Sequence, residues 1–202
     1  MKIDAKLNLV IPIYGDPQIM NDPKTGKEAE IDTIKAYVHA TPISREVFEA
    51  NFVVISKTFS AIYGEGLGAI AGPRVARMML KKVAEDLGMW DEVQGGLVAE
   101  MRRLANYIGP GQNGWETLPL EIAVQRQLID GDDAAEVENA VAFFTVVSAM
   151  HRRNALRATL AGAASLWSAQ ITSLNCTDFA ASLKTSTEAV NSSESPASSV
   201  PY

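Results

Sequence analysis

The 202 residues predict a mainly α protein of the α+β class: an N-terminal β-hairpin, then a helical domain of about five to seven helices, then a disordered C-terminal tail. Three observations carry that reading. Apolar residues alternate with a period of two near the N-terminus, they recur every three or four residues from Thr41 to about Ile171, and they give out after Leu183. The expected organisation is 1–40 for a hairpin packed on the helices, 41–183 for the helical domain and 184–202 for a Ser-rich tail with almost nothing to bury.

In chain order, Leu7, Leu9, Ile11 and Ile13 alternate with Asn8, Val10, Pro12 and Tyr14, which reads as a strand with one buried face and with Pro12 favouring an edge position. A second strand over Ile31–His39 follows a turn-rich segment, so a long-looped hairpin is the simplest connection. Two strands alone are marginal in water, and this pair must lean on helices or on another subunit. Thr41-Pro42 or Ser44 then opens a helix carrying Val47, Phe48, Phe52, Ile55, Phe59 and Ile62 and ending at Gly64. After the glycine-rich GEGLGAIAGP, Pro73 is expected to open a helix with Val75, Met78, Met79, Val83 and Leu87 that stops at Gly88. A helix over roughly Asp91–Ile108 is weakened by Gly95-Gly96, and GPGQNGW reads as a loop.

Pro119 should start a short helix through Leu128. The stretch Asp133–Met150 is apolar around nearly its whole circumference in its second half, and it is the expected core helix. Asp133 with Glu136 forms a capping-box pattern at its start, and His151, Arg152 and Arg153 suit the dipole at its end. Another helical period runs from Ala155 to about Ile171, and Asn175 with Asp178 can cap one last turn.

Composition narrows the function classes. A net charge of −6 and a pI near 5.0, with no basic run longer than a pair, argue against a nucleic-acid binder. The apolar runs are too short to span a membrane, and the N-terminus lacks a signal-peptide pattern, so a cytoplasmic setting is expected. A single cysteine, Cys176, rules out an internal disulfide.

No motif carries chemistry. Gly66-Leu67-Gly68-Ala69-Ile70-Ala71 matches the letters of a dinucleotide fingerprint, but a helix rather than a strand precedes it, which favours an interhelical hinge. Asp130, Asp132 and Asp133 resemble half a calcium loop, yet the twelfth position is Val141, so helix capping accounts for them better. His39 and His151 have no ligand partners at metal spacing, and surface or capping roles are expected. No catalytic, cofactor-binding or metal-binding residue is assigned.

Four stretches taken together carry a resemblance: TPISREVFEANFVVISKTFSAIY (41–63), GPRVARMMLKKVAE (72–85), NGWETLPLEIAVQRQL (113–128) and LWSAQITSLNCTDFAASLKTST (166–187). The chain resembles the tail assembly chaperones of long-tailed, siphovirus-like double-stranded DNA bacteriophages. The resemblance implies a non-enzymatic protein of the host cytoplasm that binds the tape measure protein and passes it to the tail tube protein, with homo-oligomers possible. Met78, Met79, Met89 and Trp90 are adaptable apolar side chains beside the glycine-rich segment, and they are the expected partner-binding residues. The alternative is a small virion structural protein, a head–tail connector or tail completion subunit.

Overall fold

The computed structural model describes residues 7–21, 28–31, 33–112, 114–151, 160, 164 and 168–183. The expected tail, Arg152, Arg153 and Trp167 lie outside this set. The predicted class is the one found: helices packed on an antiparallel sheet whose first strand lies near the N-terminus.

Strands β1 (Asn8–Tyr14) and β4 (Ile34–Ala40) form the expected hairpin, with Leu9 opposite Ala40 and Ile13 opposite Ala36. Within its long loop, β2 (Gln18–Asn21) and β3 (Glu28–Ile31) pair as a separate two-stranded ribbon. The register shifts between Ile13 and Tyr14, where Tyr14 faces Ile34 and Lys35 becomes the extra residue of a bulge. The main sheet is wider than the hairpin. β5 (Ala105–Gly111), β6 (Gly114–Pro119) and β7 (Gln170–Thr172) join it in the order β6-β5-β4-β1-β7, so the helical segment contributes both edges. Pro12 is therefore not on an edge strand, though β7 pairs with Asn8–Val10 and ends short of it, and β1 is buried on both faces from Asn8 to Ile13 rather than on one, because helices cover both sides of the sheet.

Three sequence expectations are corrected here. The helix over Asp91–Ile108 stops at Arg103, and Ala105–Gly111 is a strand hydrogen-bonded to β4. In the segment GPGQNGW, Gly109–Gly111 end β5 and Gly114-Trp115 open β6, so these described residues are paired strand rather than loop. Gly109 is needed in that strand because a Cβ there would collide with the Tyr107 ring, which folds over it. Likewise Gln170–Thr172 pairs with β1 instead of continuing a helix through Ile171.

Helix boundaries follow local chemistry closely. Ser44 caps α1 (Arg45–Ala50), its Oγ accepting the Val47 N–H at 3.3 Å. The single helix expected from there to Gly64 is broken at Asn51, and α2 runs Phe52–Gly64. At its end Gly66, with φ +70°, allows a Schellman closure: the Leu67 N–H reaches Ile62 O at 3.1 Å. The next helix, α3 (Gly68–Asp86), begins five residues before Pro73, so Pro73 lies inside it rather than opening it. A second Schellman closure at Gly88 (φ +69°) stops α3 where expected, with Met89 N–H to Ala84 O at 2.9 Å. Then α4 (Trp90–Val93) passes through a π-helical turn at Gln94–Val98, over the glycine pair, into α5 (Ala99–Arg103). The short helix expected from Pro119 through Leu128 is α6 (Leu120–Gln125): Pro119 ends β6 just before it, and the helix stops three residues before Leu128.

The central helix α7 (Gly131–Met150) buries every residue from Ala140 to Val147. Its N-cap is Asp130, not Asp133: Asp130 Oδ1 accepts the Asp133 N–H at 2.8 Å. The helix thus starts earlier than the capping-box pattern implies, and Asp133 instead meets Lys35 at 3.5 Å. Around α7 pack α2 and α3, the latter through Gly72, Ala76, Leu80 and Ala84, a four-residue stripe of small and apolar side chains. A Cβ on Gly72 would sit 2.8 Å from both Ile62 and Phe143, so glycine sets how closely the three helices approach. Below them lie Leu9, Ile11, Ile13, Ala36, Val38 and Ala40 of the sheet. The final helix α8 (Cys176–Ser182) is capped by Asn175 as expected, with the Asp178 N–H donating to Asn175 Oδ1 at 2.9 Å. It covers the opposite face of the sheet.

Candidate partner-binding surface

Because α3 turns Gly72, Ala76, Leu80 and Ala84 inward, helical periodicity turns Ile70, Arg74, Met78, Lys81 and Lys82 outward. Met78 is 62% exposed and Ile70 80% exposed, unusual for large apolar side chains. Met79, Met89 and Trp90 are half-buried against the principal core. Of the four expected partner residues, the structure therefore leaves Met78 mostly exposed and the other three half-buried.

The Gly88 turn folds α4 back so that the Trp90 ring lies beside α3. The Arg77 guanidinium carbon sits 4.8 Å from the ring centroid and Lys81 Nζ 5.7 Å, both within cation–π range. Arg77 continues into a polar cluster. Glu138 on α7 divides its oxygens between two arginines: Oε1 accepts from Nε and Nη2 of Arg102 at 2.8 and 2.6 Å, and Oε2 lies 3.9 Å from Arg77 Nε. That last distance is an ion pair but not a hydrogen bond, and Arg77 Nε makes none among the described residues. Burial pushes the Arg77 pKa down; Glu138 opposes this and Arg102 adds to it. The Arg77 backbone N–H donates to Asn139 Oδ1 at 3.1 Å, tying α3 to α7 at the same level. Between these groups, Val98, Met101, Leu120 and Val141 line a cleft of about 10 Å³, room for one water molecule. The π-turn at Gln94–Val98 lets the adjacent Leu97 and Val98 both be buried, and one turn later Arg102 reaches Glu138.

Sequence reasoning missed Arg77, Arg102 and Glu138 as a group. They lie on three helices, with Arg102 and Glu138 36 residues apart, so no local spacing links them. The one available signal was the cationic run Arg74, Arg77, Lys81, Lys82 along a single helix.

His39 also departs from expectation. It is 0% exposed, not a surface residue, and its Nε2 donates to Leu174 O at 2.9 Å; the same carbonyl accepts Asn8 Nδ2 at 2.8 Å. Burial lowers its pKa, opposed by the carbonyls of Leu174 and of His39 itself. His151 does act at a helix end, its Nδ1 3.1 Å from Val147 O. Among the described residues no three His, Cys, Asp or Glu side chains gather as metal ligands, and no helix is long and apolar enough to cross a membrane. Gly66 and Gly68 both have positive φ and shape the α2–α3 turn.

No protein-family model, curated protein or solved structure matches this chain.

Proposed function

We propose that this protein is a non-enzymatic tail assembly chaperone of a long-tailed bacteriophage, binding the tape measure protein in the host cytoplasm and promoting its transfer to the tail tube. The resemblance of the four stretches supports this reading. The structural observation that carries it is the surface of α3 and α4, where Met78 stands exposed beside half-buried Met79, Met89 and Trp90. Unbranched, polarizable methionines accommodate varied apolar helices, which suits a chaperone whose client is long and apolar-striped.

Co-expression with the tape measure protein of the same phage tests it. The client's soluble fraction should rise, the two should co-purify, and mass spectrometry of mature particles should find little of this chain. Fixed stoichiometry in particles, with client solubility unchanged, would instead indicate a head–tail connector or tail completion subunit.

A further inference from the structure

The outer face of α3 combines two features not explained by packing within the chain. Ile70 and Met78 are its most exposed apolar residues, two helical turns apart, and Arg74 stands between them. Arg74 is exposed and makes no ion pair among the described residues. In a chain of net charge −6, the segment from Gly68 to Val83 holds Arg74, Arg77, Lys81 and Lys82 and no acidic residue. Lys81 and Lys82 are answered by Glu85 and Asp86 one turn on. Arg77 shares the single carboxylate of Glu138 with Arg102, which leaves one positive charge in surplus beside the cleft. Arg102 is itself 44% exposed at that edge.

We infer that this face docks an amphipathic helix of a partner protein that carries carboxylates beside its apolar stripe. Its apolar residues would meet Ile70, Met78 and the rim of Trp90, while its carboxylates would meet Arg74 and the surplus charge of the Arg77–Arg102 pair. The acidic character of the occupant follows from charge complementarity. Exposed charges contribute little to affinity one by one, but they select partners and fix register. A nucleic acid would also present anions, yet its sugar-phosphate backbone offers no apolar stripe for Ile70 and Met78. The inference rests on the proposed function only in taking the partner to be an apolar-striped helix, and it adds that partner's charge.

The test uses the full chain and a labelled synthetic helix of about 18 residues, roughly five turns, with Leu on one face and Glu along both flanks. A second peptide replaces every Glu by Gln. Fluorescence anisotropy should show the Glu peptide binding about tenfold tighter at low salt, an advantage that shrinks as ionic strength rises. Arg74→Glu and Arg102→Gln should each erase most of that preference with the melting temperature nearly unchanged, and Met78→Gln should weaken both peptides alike. Equal binding of the two peptides, or no binding of either, overturns the inference, as does a preference that survives Arg74→Glu. Self-association that competes with the peptide and is abolished by Arg74→Glu assigns the face to a second copy and overturns it too. Co-expression separates this from the chaperone reading. If Arg74→Glu still solubilises the tape measure protein fully, the acidic-helix docking fails and the chaperone reading stands; if the peptide binds as expected but the tape measure protein is not captured, the reverse holds.

Discussion

On one face of the sheet, Leu9, Ile11, Val38 and Ala105 lie beneath a helical layer centred on α7; on the other, among the described residues, Val10, Tyr37, His39 and Ile108 are covered by the seven-residue helix α8 with Trp115 and Leu183 beside it. The first face is largely aliphatic, and its contacts spread over many elements, so no single side chain holds it. The second depends on a few oriented groups. The Tyr37 ring meets Trp115 at 5.6 Å and Phe179 edge-on at 5.4 Å, His39 lies 6.3 Å from Phe179, and the Leu174 carbonyl is pinned by His39 and Asn8 just before α8 begins. Bulk burial resists local opening, whereas a short helix held by one aromatic cluster and one bifurcated carbonyl opens as a unit at lower free energy. The two faces should therefore respond differently to the same kind of damage.

The largest effect is expected from Phe144→Ala in α7, which should cost about 3–5 kcal/mol in denaturant unfolding, the range for a fully buried aromatic. A loss under about 1 kcal/mol would mean that this layer is not the main core. Phe179→Ala on the other face should lower global stability by less than about 3 kcal/mol, because release of α8 caps the cost. Hydrogen exchange should show the α8 amides losing protection while those of α7 keep it. If both helices lose protection together, the faces are one cooperative unit and the contrast fails.

Acid provides a gentler probe of the α8 face. The folded pKa of His39 lies below the ordinary histidine value of about 6.5, so the unfolded chain takes up the proton first. The stability it confers is complete above about pH 6.5 and is lost as pH falls toward the folded value. Protection at α8, corrected for the pH dependence of intrinsic exchange, should fall over that window while protection at α7 changes little. His39→Gln keeps a donor for Leu174 O and should flatten the response; an unchanged pH profile in that variant would remove His39 from the account.

Smaller still is the effect at Gln127, which has φ +57° in a Schellman closure after α6 of the kind that Gly66 and Gly88 make elsewhere. Relief of left-handed strain, partly offset by glycine's entropy, should make Gln127→Gly more stable by about 0.5–1 kcal/mol. A loss of stability would show that the side chain contributes something its exposure conceals. Least of all, Met78→Gln should change stability by no more than about 0.5 kcal/mol, since an exposed side chain on α3 has little packing to lose. A larger loss would mean that Met78 is buried in solution, by a second copy or otherwise.

What was legible in the residues alone was whatever is decided within one turn of chain. Ser44 and Asn175 cap helices because their side chains reach an N–H three residues on, and Gly88 ends α3 because it accepts positive φ. The period of two over Leu7–Tyr14 marks a strand, and the apolar circumference of the central helix marks the core, since both follow from backbone geometry. Tertiary structure decided the rest. Leu104 and Ile108 continue the helical spacing of Met101, yet Ala105–Gly111 becomes a strand because β4 presents an open row of hydrogen-bonding groups more than sixty residues away in sequence. His39 is buried only because the turn at Leu174 brings it a carbonyl, and Glu138 joins Arg77 to Arg102 only because three helices converge. These are long-range meetings of groups whose partners no local pattern specifies, and the candidate surface is built from them.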